Sequence, residues 1–254
     1  MFARPKRNYP IMKPFVAIKP LVAALACSLF ASFGASAGGV NILPPSSLPY
    51  GLSYEEWSAK WWQWSLSQAT NKIEYGGSAG LCEGPASEVR FLAGGPYPAA
   101  SVRRITVSDK VALFFPVLTV WVDNSGCPAF TTLSADQLLA QAEGMWGSVT
   151  ETSCTIDGEL VAGMEDPTNS IYLVQSPPFS YTTAPKHNVL AGAYGESCIG
   201  GDTTIYPALS DGIFLMLAPL KPGKHTIHLV GIVGPATAPY VDVDVTYDIT
   251  VLRL

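Results

Sequence analysis

Between Tyr240 and Leu252 the chain alternates with hardly a break. Val241, Val243, Val245, Tyr247, Ile249 and Val251 fall on one side, and Asp242, Asp244, Thr246, Asp248 and Thr250 on the other. A period of two with one apolar and one polar side predicts a long antiparallel strand, half buried and half wet. Similar runs predict strands at Val89–Ala93, Ser101–Val107, Val111–Val122, Ile171–Gln175, Phe179–Thr182, Ile213–Leu217 and His225–Ile232. Pro116 lacks an N–H and puts its strand at an edge or a bulge. Asp157-Gly158 reads as a two-residue hairpin turn between Ser153–Ile156 and Glu159–Val161. Lys221-Pro222-Gly223-Lys224 reads as a turn before the His225 strand.

The period lengthens to that of a helix at two places. Ser53-Tyr54-Glu55-Glu56 is a capping box opening a helix to about Ser67, with Tyr54, Trp57, Trp61 and Trp64 on one face and Trp62 turned away. Ser134-Ala135-Asp136-Gln137 opens a second helix to Trp146, with Leu138, Leu139, Ala142, Met145 and Trp146 as its apolar stripe. Short strands, frequent turns, 23 Gly and 21 Pro point to a mainly β fold. The expected architecture is an antiparallel β-sandwich or jelly roll with two short helical inserts.

The first 37 residues change the picture, because they read as a secretory signal peptide. Arg4, Lys6, Arg7, Lys13 and Lys19 precede an apolar stretch from Leu21 to Phe33, and Ala35-Ser36-Ala37 is a small-x-small cleavage pattern before Gly38. The expected product is exported, to the periplasm or beyond the cell. Residues 38–52, rich in Gly, Pro and Ser, read as an extended lead-in, and 53–254 as a single β-rich domain. Five of the 15 basic residues and none of the 20 acidic ones lie in the leader. The remainder has 10 basic against 20 acidic residues and a formal charge of −10. With no basic cluster in the sequence, nucleic acid is an unexpected partner. No membrane span is expected after the leader.

Cys27 belongs to the leader, which leaves Cys82, Cys127, Cys154 and Cys198. An even count in an exported chain predicts two disulfides. Of the three possible pairings, Cys82–Cys127 with Cys154–Cys198 joins neighbours in the chain. No Cys-x-x-Cys or Cys-x-x-His pair suggests a metal, and no cofactor is expected.

Candidate chemistry is sparse. The indoles of Trp57, Trp61 and Trp62 are the candidate binding residues, since exposed rings stack on sugars or apolar partners; Trp62, off the main stripe, is expected to be the most exposed. Gly76-Gly77-Ser78-Ala79-Gly80 matches G-x-S-x-G but lacks the strand before it and the helix after it that a nucleophile elbow needs. His225 and His228 would lie on opposite faces of a strand. His228 then shares the polar face with Asp242 and Asp244, which makes these three the candidate catalytic residues as a cross-strand His–carboxylate group. Asp242, Asp244 and Asp248 sit ~7 Å apart along a strand, too far to hold one calcium ion unaided.

The segments Gly51–Trp64, Ala112–Val117, Leu217–Leu220, His225–His228 and Asp244–Tyr247, with Thr155–Gly158 and Gln175–Phe179, resemble a group of uncharacterised exported bacterial proteins. The Trp-rich helix is the specific part of the likeness. It implies a bacterial secreted protein of β-rich fold and brings no activity, and the cysteines are not part of it. Two functions are expected from the sequence. One is a non-catalytic exported protein binding a glycan, a surface or a protein partner. The other is a secreted hydrolase with an Asp/Glu–His site, with or without a metal.

Overall fold

Two β-sheets face one another in the computed structural model, which describes residues 36–37, 39–69, 80–81, 88–93, 101–126, 132–194, 199–235 and 237–254. All of these belong to one compact unit. The first sheet has strands β3 (Gly80–Leu81), β4 (Val89–Phe91), β6 (Ala112–Asp123), β9 (Leu173–Gln175), β10 (Phe179–Thr182) and β11 (Thr204–Leu217). Its order is β10-β11-β6-β4-β3, with β9 also paired to β11. The second has β5 (Ser101–Ser108), β7 (Val149–Ile156), β8 (Glu159–Leu160), β12 (Gly223–Val233) and β13 (Val241–Leu252), in the order β5-β13-β12-β7-β8.

The expected β-sandwich is therefore present, with one correction. Both sheets are mixed: β13 runs parallel to β5, and β4 parallel to β6. The reason is connectivity: between β4 and β6 the chain crosses to the other sheet to form β5, and β5 in turn joins β13, which comes much later in the chain.

The alternation of β13 is realised from Val243 onward, while Val241 is only half-buried. Val243, Val245, Tyr247, Ile249 and Val251 are buried, and the residues between them are half exposed. Pro116 does sit at a bulge: opposite β11, the register jumps from Leu118 to Pro116. Asp157 (φ 52) and Gly158 (φ 85) form the expected hairpin turn. The strand expected at Ile213–Leu217 begins nine residues earlier, at Thr204. Pro207, Asp211 and Gly212 read as turn residues, yet they lie inside β11. Gly212 is there because a Cβ would stand 2.4 Å from Thr119 Oγ1 and 2.9 Å from the Leu118 carbonyl.

Three described helices accompany the sheets: α1 (Tyr54–Leu66), α2 (Ala135–Trp146) and the short α3 (Val189–Tyr194). Both expected capping boxes close. Ser53 Oγ accepts from Glu56 N while Glu56 accepts from Ser53 N, and Ser134 and Gln137 repeat the exchange. Helix α1 covers the outer face of the six-stranded sheet. Tyr54 and Trp57 meet Phe114, and Trp61 meets Phe214.

The lead-in is more ordered than its composition implies. β2 (Val40–Asn41) pairs with β1 (Ser36–Ala37), the last two residues of the expected leader, and 3-10 turns follow at Pro45–Ser47 and Pro49–Gly51. Ile42 bridges to Leu217 and is buried, and Leu43 N donates to the Met216 carbonyl. Tyr54 locks this junction by donating to the Leu43 carbonyl at 2.6 Å and accepting from Met216 N at 2.9 Å. Residues 1–35 lie outside the described set.

Candidate functional site

The two sheets treat their outer faces differently. The six-stranded sheet is covered by α1. On the five-stranded sheet none of the outward residues of β5, β12 or β13 is buried. Strand register sets these residues in rows. Thr106–Thr250–Lys224 is one row, Arg104–Asp248–Thr226 the next, and Val102–Thr246–His228–Thr155 a third. Between the first two rows lies a shallow hollow of about 370 Å³, lined by residues 104–106, 224–226 and 248–250.

The candidate catalytic residues lie on this face. His228 Nε2 stands 2.8 Å from Asp244 Oδ1, one row off the direct register partners, as the polar alternation of β12 and β13 implied. Both side chains are partly exposed, 39% and 43%. Asp242, further along the same strand, pairs in register with Ile232. The three form an open patch on a sheet, without walls to exclude water.

His225 sits on the opposite parity from His228, as expected, at the end of the strand. Its Nδ1 lies 2.7 Å from Asp157 Oδ2 and its Nε2 2.8 Å from the Lys221 carbonyl, so the ring joins two turns. Among the described residues no three His, Cys, Asp or Glu side chains gather as a metal site.

Trp62 requires a correction. It is 6% exposed, as buried as Trp57 (2%) and Trp61 (4%), while Trp64 is only half-buried. The buried residues of α1 include Tyr54, Trp57, Ser58, Trp61, Trp62 and Ser65, spaced i, i+3, i+4, i+7, i+8 and i+11. Two buried serines disguise that stripe in the sequence. Trp121 from β6 meets Trp62 at 4.8 Å between ring centres. Each buried indole N–H is also spent: Trp57 donates to the Pro49 carbonyl, Trp61 to the Leu92 carbonyl and Trp62 to Thr119 Oγ1. The three candidate binding indoles thus offer no free ring face in this structure.

The disulfide expectation also changes. Cys154 is a free, fully buried thiol in β7, so the Cys154–Cys198 pairing is not formed. Its side chain points into the core, where burial pushes the thiol pKa up. Cys82, Cys127 and Cys198 lie outside the described residues, as does all of the G-x-S-x-G segment except Gly80.

Sequence reasoning missed two polar arrangements. Fully buried Asp211 accepts from Gln175 Nε2 at 3.2 Å, and the same amide reaches Glu143 of α2 at 3.1 Å. Buried Arg103 donates to the Ala93 carbonyl and the Tyr247 hydroxyl, while Arg90 donates to the Thr106 carbonyl. The two guanidinium groups thus stitch the β4 side of one sheet to the β5 edge of the other. Arg103 at an alternating apolar position of β5 was the one visible signal. No family model, curated protein or solved structure matches this chain.

Proposed function

We propose that the chain is an exported bacterial protein that works without catalysis, binding a glycan, a surface or a protein partner through the outer face of its five-stranded sheet. The observation behind this reading is the contrast between the two outer faces. One is occupied by the tryptophan helix. The other presents Thr, Asp, Arg, Lys and His side chains to solvent, with Val102, Val230, Ile232 and Leu252 among them. The leader supports export, and no described helix is long and apolar enough to cross a membrane.

A ligand screen on protein purified from Gly38 onward tests the reading. Retention should fall when outward residues such as Thr226 and His228 are replaced. Ligand retention indifferent to every substitution on this face would refute it. Mass spectrometry of the exported product should give Gly38 as its first residue, whereas an intact leader or an acylated Cys27 would count against export in this form. The His228–Asp244 contact favours a second reading as a hydrolase. That reading expects turnover of some ester, peptide or glycoside that His228→Ala abolishes while the fold is retained.

A further inference from the structure

We propose that the outer face of the five-stranded sheet binds a neutral glycan chain at its Tyr240 end, sugar rings laid on an apolar lane and hydroxyls turned to polar residues beside it. This deepens the reading of that face as the recognition surface and rests on it. The lane runs along β12, where Val230 and Ile232 point outward and are half-buried, and Gly234 follows them. Tyr240, just before β13, lies across Gly234. A Cβ at that glycine would stand 2.7 Å from Tyr240 Cδ2 and 2.9 Å from Cε2, so only glycine leaves the ring its place. With 69% of its surface exposed, Tyr240 is the most exposed aromatic residue among those described.

Strand register sets polar side chains on both sides of this lane. Asp242 and Glu151 flank Ile232, and Asp244 and Ser153 flank Val230. Thr246 and Thr155 flank His228, where the lane ends. The flanking strands β13 and β7 are roughly 10 Å apart, and His228 to Gly234 spans roughly 20 Å, which suits a short run of sugar rings end to end.

The chemistry of the lane matches that of a pyranose. Such a ring has two faces of C–H groups and a rim of hydroxyls. An exposed tyrosine ring with aliphatic neighbours takes the faces. Carboxylates accept from the rim, and the Ser and Thr hydroxyls both donate and accept. Among the described residues neither Asp242 nor Glu151 has an ion-pair partner, while Asp244 is held by His228 at 2.8 Å. Charge then narrows the class. Residues 148–156 and 226–252, which supply the lane and its flanks, contain no Lys or Arg. Nothing there offsets Asp242, Asp244 and Glu151 for an acidic polymer, a nucleic acid or an anionic membrane. A bound cation is the other natural partner of carboxylates. Here Asp242 and Glu151 stand on separate strands with Ile232 between them and do not converge on a point.

Biolayer interferometry of the protein from Gly38 onward tests this on immobilised hydroxyethyl cellulose, glucomannan and dextran, with polygalacturonate and polylysine as charged comparisons. At least one neutral polymer should bind, and its affinity should hold as salt is raised. Tyr240→Ala should weaken that binding about tenfold, and Tyr240→Phe, which keeps the ring, should bind as the parent does. Because Tyr240 also packs on Gly234, a second variant guards against a loosened turn. Asp242→Ala/Glu151→Ala should weaken binding by about threefold or more with an unchanged melting temperature. Arg104→Ala/Lys224→Ala, at the far end of the face, should bind as the parent does. No binding to any neutral polymer, binding that fades with salt, or full binding by both the Tyr240→Ala and the acidic-pair variants would overturn the proposal. A preference for polylysine that the acidic pair abolishes would overturn the glycan and leave the recognition face standing. A neutral polymer whose retention ignores every substitution on the face would instead remove the underlying reading.

Discussion

Trp62 concentrates the physics of single residues in this protein. It is wedged between Trp61 and Trp121, with ring centres 4.9 and 4.8 Å away, and its N–H is held by Thr119. Trp62→Ala should therefore cost ~3–5 kcal/mol, as much as Trp61→Ala, by removing a large buried side chain. Denaturant titration measures this, and a loss under ~1 kcal/mol would mean the ring is not packed as described. Cysteine parity gives a second test. With Cys154 unpaired, Cys82, Cys127 and Cys198 can close at most one bridge within the chain. A denatured monomer beginning at Gly38 should then show at least two free thiols, and the native protein should shield the one at Cys154. A count of zero would contradict the structure. Tyr54 and Tyr247 add a pH dependence. Burial raises both pKa values above the ordinary 10.0, more than the Arg103 contact lowers that of Tyr247. Well below pH 10 folded and unfolded chains both keep these protons. Above it the unfolded chain loses them first, so stability should fall as pH rises. Tyr247→Phe should make that fall shallower in denaturation midpoints taken between pH 9 and 12; an identical slope would exclude Tyr247 as a source.

Helix α1 and strand β11 show where elements were legible and where they were not. The capping box placed the start of α1 within a residue, because its signal is local: one hydroxyl, one carboxylate and two backbone N–H groups. Ser53→Ala should consequently lower stability by ~1 kcal/mol, measurable as a shifted unfolding midpoint; an unshifted midpoint would mean the cap is idle. The buried face of α1 was only half legible. It depends on Trp121, which lies 59 positions further along the chain than Trp62 and rises from β6 to meet it. The early half of β11 was illegible for a similar reason. Gly212 weakens a strand read locally, and only the close approach of Thr119 explains its presence. The His228–Asp244 contact was readable, since two alternating strands with matched apolar faces leave few ways to align their polar faces.

At the scale of the whole molecule, β13 stands between β5 and β12, though every other strand precedes it in the chain. Deleting residues 241–254 should leave β5 without a strand partner and abolish cooperative unfolding by circular dichroism. A truncated chain that still melts in one sharp transition would show that the six-stranded sheet folds alone. The parallel β5–β13 pairing also joins residues some 144 positions apart, so it closes a very long loop and forms slowly. A ribosome delivers this chain from its amino end. Until β13 emerges the five-stranded sheet has a gap between β5 and β12. That sheet can close only once β13 has emerged, so its completion is timed by the length of chain between β5 and β13.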